Sequence, residues 1–169
     1  MNPLVFVTVG NATQGFERLL KAADDAAGNG IFGDEQVFMQ TGNNPNFRAS
    51  HCQQEPFVEM HRFESLLKDA SLVISHGGAG TLINLLQNGR VPIVMPRRRG
   101  YSEHVDDHQV ELVKALAAAG RVIPVYEPED LEEAVLTGKG LNRQGVAAQP
   151  SQMIALVSKA IEEIRQRKS

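Results

Sequence analysis

Short apolar runs that alternate with helical segments constrain the fold of this chain most strongly. The runs share a continuously apolar, largely β-branched character, and they are LVFVTV (4–9), QVFMQ (36–40), SLVIS (71–75), VPIVMP (91–96) and RVIPV (121–125). Between them lie segments with apolar residues at helical spacing, namely GFERLLKAADDAA (15–27), FESLLKDA (63–70), GTLINLLQN (80–88), HVDDHQVELVKALAAAG (104–120) and PEDLEEAVLT (128–137). Strands that are apolar throughout need cover on both faces. We therefore predict an α/β fold, a single Rossmann-like domain whose parallel sheet has helices on both faces.

The length of 169 residues and the apolar fraction of 42% suit one core rather than two. We expect residues 1–136 to form the Rossmann-like domain. The remainder, 137–169, would hold a Gly-rich loop over 137–150 and a C-terminal amphipathic helix.

Composition excludes several classes of function. The formal net charge of -3 gives no cationic field for nucleic acid, so we expect no nucleic-acid partner. A single cysteine, Cys52, rules out an intramolecular disulfide, and MNPLVFVTVGNATQ (1–14) lacks the features of a secretory signal. We therefore expect a cytoplasmic protein. No apolar stretch reaches the roughly 18 residues of a membrane span, so contact with a membrane would be peripheral or through a partner.

The stretch SHGGAGT (75–81) places three glycines and a histidine between a predicted strand and a predicted helix. In an open parallel sheet the ligand lies beyond the carboxyl ends of the strands. Glycines let a ligand approach the backbone, and free N–H groups at a helix N-terminus favour a phosphate or pyrophosphate. We therefore predict an anionic ligand here, although a glycine-rich turn with nothing bound would have the same residues.

Familiar phosphate and nucleophile motifs do not fit the chain. Gly78 and Gly80 supply G-x-G, but Ile83 stands where the third glycine should be, and no acid follows at the spacing of about 20 that a ribose contact needs. TGKG (137–140) lacks the upstream glycine of a P-loop, and no serine has the flanking glycines of a nucleophile elbow. A dehydrogenase, a P-loop NTPase and a serine hydrolase are therefore disfavoured.

A second polar cluster, RRRGYSEHVDDHQ (97–109), follows the next predicted strand and should line the same crevice. If HVDDHQ opens a helix, His104 and His108 lie one turn apart on one face. Asp106 and Gln109 would add groups that bond to sugar hydroxyls, although the acidic pair would equally well favour a helix N-terminus. Two histidines at this spacing also suit zinc, but no convincing third ligand follows, so we expect no metal.

Together, SHGGAGT, NGRVPIVMPR (88–97) and EHVDDHQ (103–109) resemble the C-terminal, nucleotide-sugar-binding domain of family-28 glycosyltransferases, which is the donor half of the GT-B fold. With FVTVG (6–10) near the start, the chain looks most like the small catalytic subunits of two-subunit enzymes. Such enzymes act in bacterial exopolysaccharide synthesis and in adding the second N-acetylglucosamine to dolichol diphosphate in eukaryotes. The resemblance runs from about Leu4 to Gly120.

The resemblance implies a UDP-sugar as donor substrate and no cofactor. The implied substrate-binding residues are Gly10, Asn11, Ser75, His76, Gly77, Gly78, Ala79, Gly80, Thr81, Asn84, Arg97, Glu103, His104, Asp107, His108 and Gln109. His76 and His108 are candidate catalytic residues, and the catalytic base stays unidentified. The chain departs from the family at Asn84, where a glutamate usually accepts from the ribose, and in NATQG (11–15), which lengthens the first loop.

The resemblance further implies a membrane-associated partner subunit that binds a lipid-linked glycan acceptor. In the family the C-terminal helix docks this partner. Here that helix carries an apolar stripe of Ile154, Val157, Ile161 and Ile164, although packing against its own domain would produce the same pattern.

Three hypotheses follow for the function. The first is an inverting transfer without a covalent intermediate, in which loop amides, the helix dipole and Arg97 stabilise the departing UDP. For the triplet Arg97–Arg99, a solvated basic loop is an equal alternative. The second hypothesis is a nucleotide-sugar-binding or regulatory module without catalysis, and the third is a generic anion-binding Rossmann module.

Overall fold

A computed structural model of the chain describes residues 4–144 and 150–167, and over these residues it has one six-stranded sheet. The strands are β1 (Leu4–Thr8), β2 (Gln36–Gln40), β3 (Gln53–Glu55), β4 (Leu72–His76), β5 (Ile93–Met95) and β6 (Ile123–Pro124). Their order in the sheet is β3-β2-β1-β4-β5-β6, and every neighbouring pair is parallel. The predicted α/β fold with a Rossmann-like parallel sheet is confirmed.

Helices cover both faces of this sheet. They are α1 (Glu17–Gly28), α2 (Met60–Asp69), α3 (Ala79–Gln87), α4 (His108–Ala118), α5 (Leu131–Gln144) and α6 (Pro150–Gln166). The buried residues of α1 and α5 share one cluster, whereas α2, α3 and α4 pack on the other side and α6 lies against α3 and α4. Within the described ranges, none of these helices combines the length and apolarity that crossing a membrane requires.

Successive residues of one strand enter different cores, which explains the continuously apolar runs. Val5 and Val7 of β1 pack with α1 and α5, whereas Phe6 between them packs with Leu67 and Leu85 on the opposite face. All three β1 side chains are fully buried. Burying one such side chain contributes about 1.5 to 3 kcal/mol, so the two-sided sheet is the main source of stability.

The sheet has its topological switch point between β1 and β4, which lie side by side at its centre. The chain leaves β1 toward α1 on one face and leaves β4 toward α3 on the other. The two connections therefore diverge and leave a crevice at the carboxyl ends of these strands, where ligands bind in such sheets. Gly10 follows β1 and Gly77 follows β4 at this crevice.

One strand, β3, has no counterpart in the sequence prediction. Its three residues, Gln53–Glu55, are polar and pair only with β2, at the edge of the sheet. A short polar edge strand lacks the apolar pattern by which strands are recognised.

The prediction of a loop over 137–150 is wrong for residues 137–144, which continue α5 to Gln144. Residues 145–149 lie outside the part of the chain that the structure describes. A Cβ on Gly138 would come within 2.9 Å of Leu72 Cδ1, so the glycine lets the helix lie close to the sheet. The boundary expected at residue 136 therefore falls inside a helix.

The described part of the apolar stripe of α6 packs on its own domain. Ile164 is buried and Ile161 partly buried, and both pack in the cluster that contains Leu82 and Leu112. Ile164 is therefore covered by its own domain, whereas Ile161 keeps an exposed part, and docking of a partner through α6 stays a prediction. The side chains of Ile154 and Val157 lie outside the described residues.

We expect Ile164→Ala to lower the free energy of unfolding by about 2 kcal/mol, because it removes buried methyl groups and leaves a cavity against α3 and α4. Urea unfolding followed by circular dichroism measures this loss. The matched control is Glu163→Ala on the exposed face of α6, expected to change stability by less than about 0.5 kcal/mol. Equal stabilities for the two variants would contradict the packing of α6 on its own domain.

Candidate functional site

Two cavities meet at Gly78 on the carboxyl edge of the sheet. The first cavity has a volume of about 520 Å³ and is lined by Gly10, Asn11, Gln40, Phe57, Val58, Met60, Phe63, Glu64, His76, Gly78, Gly80, Thr81 and Asn84. The second cavity has a volume of about 300 Å³ and is lined by Gly77, Gly78, Ala79, His104, His108, Gln109, Leu112, Ile161, Ile164 and Arg165. The structure therefore brings the residues of SHGGAGT and EHVDDHQ together at one edge, as predicted.

The imidazole of His76 lies between two glycines. A Cβ on Gly10 would stand 2.5 Å from His76 Nε2, and a Cβ on Gly78 would overlap with His76 Cε1. Gly10 also has a φ of +72°, which favours glycine in its own right. Two of the glycines predicted to admit a ligand thus make room for a side chain of the protein itself.

The N-terminus of α3 offers free backbone donors beside this histidine. Gly78 caps the helix without a side-chain bond, and the N–H groups of Ala79, Gly80 and Thr81 fall in the first turn, where no intrahelical acceptor exists. A Cβ on Gly80 would meet nothing within 4 Å. Gly80 is therefore the glycine at which a ligand can approach the backbone, and the helix dipole there favours an anion.

His76 is held as a neutral imidazole. It is 8% exposed, its Nε2 lies 3.4 Å from Thr81 Oγ1, and its Nδ1 has no hydrogen-bond partner among the described residues. Burial lowers the pKa of His76 to about 3, and the positive charge of Arg97 acts in the same direction. At neutral pH this histidine can donate one hydrogen bond, but it binds a proton too weakly to serve as a general base.

Gln109 joins the two loops that form the site. Its Oε1 accepts from the N–H of Gly77 and from the N–H of Arg97, each at 3.1 Å. Because both neighbours are donors, the amide oxygen must face them, and the Nε2 donors remain available to the second cavity. Ser75 is fully buried and lines neither cavity, and its Oγ donates to the carbonyl of His76 at 2.9 Å, so its expected contact with a substrate stays a prediction.

The predicted helical spacing of His104 and His108 is wrong, because α4 begins only at His108. A carboxylate brings the two rings together instead: Asp106 Oδ1 lies 3.1 Å from His104 Nδ1, and Asp106 Oδ2 lies 3.3 Å from His108 Nδ1. Asp106 Oδ1 also accepts from the N–H of His108 at 3.0 Å. A carboxylate at Nδ1 favours the tautomer in which Nε2 is the acceptor, which is the arrangement of an oriented general base.

Arg97 was expected to assist the leaving group, but it is fully buried and lines neither cavity. Its guanidinium donates to the carbonyls of Val9 (2.6 Å), Gln14 (2.8 Å) and Glu103 (3.1 Å). It also lies 4.9 Å above the ring of Phe16. Arg97 therefore fixes the loop after β1 to the loop after β5, and its side chain reaches neither cavity.

Glu103 and Asp107, which the resemblance placed at the substrate, both hold loops through hydrogen bonds, and their contact with a substrate stays a prediction. Glu103 is buried and pairs with Arg18 through two hydrogen bonds of 2.9 and 3.0 Å. Asp107 Oδ1 accepts from the N–H of Arg99 at 2.9 Å, and neither acid lines either cavity. Asn84 does line the first cavity, where its Oδ1 accepts from Asn88 at 3.1 Å.

One wall of the first cavity was missed from the sequence. It consists of Gln40 at the end of β2 and of apolar residues around the start of α2, namely Phe57, Val58, Met60 and Phe63. Glu64 of α2 adds a carboxylate near Asn84. Apolar residues before a helix normally indicate core packing, and only the exposure of Phe57 (54%) and Met60 (68%) in the structure reveals a surface.

Among the described residues, no group of three or more His, Cys, Asp or Glu side chains could hold a metal ion.

The depressed pKa of His76 predicts a pH dependence of stability. Above about pH 6.5 the ring is neutral in the folded and unfolded states, whereas from there down to about pH 3 only the unfolded chain binds the proton. This histidine should therefore destabilise the fold as the pH falls through that range, by at most about 1.4 kcal/mol per pH unit.

The measurement is the difference in unfolding free energy between the native chain and His76→Gln, which cancels the contribution of other titrating groups. We expect this difference to shift in favour of the variant as the pH falls from 7 to 4. A difference that stays constant over this range would contradict the buried neutral histidine.

Comparison with known proteins agrees with this geometry. The sequence model of the glycosyltransferase family 28 C-terminal domain matches residues 4–164. The human UDP-N-acetylglucosamine transferase subunit ALG13 is 29% identical over 125 residues, which are 70% of this chain and 10% of that protein. The subunit of the same name from Cryptococcus neoformans (strain JEC21) is 39% identical over 74 residues, or 43% of this chain and 35% of that protein.

A solved structure shows the same fold. The glycotransferase of kitacinnamycin superposes with a TM-score of 0.62 at 15% identity, covering 98% of this chain and 43% of that one. The chain thus spans less than half the length of these similar proteins. Because the family match covers nearly all of the sequence, the chain belongs to the glycosyltransferase family 28 C-terminal domain family.

Proposed function

We propose that this chain is the donor-binding, catalytic subunit of a UDP-sugar-dependent glycosyltransferase, which transfers a sugar to a lipid-linked acceptor together with a partner subunit. The observation that carries the proposal is the first cavity, which joins the free amides of α3 to an apolar wall within one crevice. An anionic diphosphate suits the first feature and a flat nucleobase suits the second. Membership of the family and the names of the two UDP-N-acetylglucosamine transferase subunits support the same donor class.

In this arrangement the diphosphate would lie over Gly80 and Thr81, the nucleoside in the first cavity and the sugar toward the second. Asn84 lines the first cavity and would accept a ribose hydroxyl through its amide oxygen. The sugar would meet Gln109, whose Nε2 is free to donate, and the pair formed by Asp106 and His108. The position of Gly78 in both cavities supports a ligand that spans them.

The reaction we propose is a single displacement with inversion. The acceptor hydroxyl attacks the anomeric carbon, the bond from that carbon to the UDP oxygen breaks, and the hydroxyl proton passes to a general base. His108 is the better candidate for this base, because Asp106 orients its ring while burial keeps the proton affinity of His76 low. Charge on the departing UDP would be stabilised by the α3 amides and by a hydrogen bond from neutral His76.

The partner is proposed because the two curated relatives are named as subunits of a transferase. A second protein would then bind the lipid-linked acceptor and hold this chain at the cytoplasmic face of a membrane. Synthesis of an exopolysaccharide fits such a pair.

We expect UDP to bind the isolated chain and Gly80→Val to weaken this binding at least tenfold, because the new side chain would occupy the approach to the α3 amides. Isothermal titration calorimetry with UDP measures the affinity. The matched control is Gly140→Val, since Gly140 is also helical and a Cβ there would likewise meet nothing within 4 Å. Unchanged affinity in a folded Gly80→Val variant would refute the placement of the diphosphate, and absence of UDP binding by the native chain would refute the proposed donor.

We also expect the purified chain alone to show no transfer from a UDP-sugar to a lipid-diphosphate-linked saccharide. Co-purification with an acceptor-binding subunit should restore transfer, measured as UDP release and as a labelled lipid product. His108→Gln in the restored complex should lower the turnover number at least a hundredfold if this residue is the base. Robust transfer by the chain alone would refute the two-subunit proposal.

A further inference from the structure

The guanidinium of Arg165 has no protein partner at the second cavity. Arg165 lies in the last turn of α6, where it is exposed and lines this cavity together with Gly78 and His108. Over residues 4–144 and 150–167, no group accepts a hydrogen bond from its side chain or forms an ion pair with it, whereas the nearby Arg167 lies 3.9 Å from Glu111 Oε2. The donors of Arg165 therefore remain available to a ligand.

The charge at the second cavity favours an anionic group. Besides Arg165, the titratable residues that line this cavity are His104 and His108, and no acid stands among the described residues of its lining. The carboxylate of Asp106 lies 3.1 and 3.3 Å from the Nδ1 atoms of the two histidines but does not line the cavity. A cleft whose charges have one sign attracts a ligand of the opposite sign.

The rest of the second cavity suits a sugar ring. Its volume is about 300 Å³, and part of its wall is apolar, with Leu112, Ile161 and Ile164 from α4 and α6. The C–H groups of a pyranose ring can pack on such a wall, while its hydroxyls need polar partners. One such partner is Gln109, which is 8% exposed and whose Oε1 is held by two backbone N–H groups, so that its Nε2 can donate to a hydroxyl.

The phosphates of the donor do not account for Arg165. In the proposed arrangement they lie over Gly80 and Thr81, which line the first cavity and not the second. The backbone amides in this first turn of α3 already supply hydrogen-bond donors for them. Arg165 lines the second cavity and not the first, so its charge lies on the side of the sugar.

We propose that the donor sugar of this chain is a uronic acid, whose C6 carboxylate pairs with Arg165. A uronic acid carries this carboxylate where a neutral hexose has a hydroxymethyl group, and a guanidinium binds a carboxylate through two parallel hydrogen bonds. The inference rests on the proposed function, since it names the class of sugar for the same donor site. The two curated relatives are named UDP-N-acetylglucosamine transferase subunits, and the sugar in that name is neutral.

The experiment compares UDP-glucuronate with UDP-glucose, two donors that differ only at C6, and adds UDP-N-acetylglucosamine and UDP. Isothermal titration calorimetry should show that the native chain binds UDP-glucuronate about 10- to 100-fold more tightly than UDP-glucose, because the carboxylate gains charged hydrogen bonds. Raising the salt concentration from about 0.1 M to about 1 M should reduce this preference, since the Debye length falls from about 10 Å to about 3 Å.

The variant Arg165→Met keeps an apolar stem and removes the charge. It should bind UDP-glucuronate no more tightly than UDP-glucose, while its affinities for UDP and UDP-glucose stay those of the native chain. Because Arg165 is exposed, the unfolding midpoint of the variant should also be unchanged. The matched control is Arg167→Met, which removes a second exposed arginine that lines neither cavity and should keep the native preference.

Equal binding of UDP-glucuronate and UDP-glucose by the native chain, or tighter binding of UDP-N-acetylglucosamine than of UDP-glucuronate, would overturn the uronic acid and leave the proposed function standing. If Arg165→Met weakened UDP as much as UDP-glucuronate, Arg165 would contact the diphosphate and its assignment to the sugar would be overturned. A preference for UDP-glucuronate that survives in Arg165→Met would overturn the role of Arg165 as well. A native chain that binds none of these nucleotides would refute the proposed function itself.

Discussion

The site depends on one buried cation, the guanidinium of Arg97. Removing a guanidinium from water costs several kcal/mol unless hydrogen bonds replace the lost hydration. Here the replacements are backbone carbonyls from the loops after β1 and β5, together with the face of Phe16. The buried Nε has no partner among the described residues, so the compensation comes from the two terminal nitrogens. Because they are paired only while these carbonyls keep their positions, the two loops behave as one unit. The crevice between β1 and β4 is thereby formed before any ligand arrives.

The same cation sets the electrostatics of the glycine-rich loop. Burial lowers the pKa of Arg97 to about 10, which still leaves it charged at neutral pH, and this charge helps to keep His76 neutral. The loop therefore presents a neutral imidazole and backbone amides with a positive charge behind them. An anion at α3 would experience the field of Arg97 without touching it, and the cation would not have to move when the anion leaves.

The sequence pattern predicted the strands and helices whose apolar residues pack into the two cores. It failed where polar contacts determine the backbone conformation. The strand β2 was predicted at its observed bounds because its interior is apolar, whereas β3 is polar and lies at an edge. The start of α4 was placed too early, because Asp106 and Asp107 are typical of a first helical turn. In the structure their carboxylates bond to His108 and to Arg99 and hold the preceding segment outside the helix. Likewise, an arginine that follows a strand can point to solvent or into the core, and no local pattern distinguishes the two.

The three glycines of SHGGAGT look equivalent in the sequence, but the structure gives a different physical reason for glycine at each position. A Cβ on Gly77 would lie 3.0 Å from Val113 and 3.1 Å from Gln109 Cβ, so this glycine lets α4 approach the loop. Gly78 makes room for His76, and only Gly80 faces open space. Loss of binding after a substitution at Gly77 or Gly78 would therefore follow from displacement of Gln109 or His76, whatever the ligand contacts. Of the three glycines, Gly80 is the one at which a substitution would block a ligand without disturbing the packing of the loop. The anion-binding role of the stretch therefore rests on Gly80 and on the backbone amides around it.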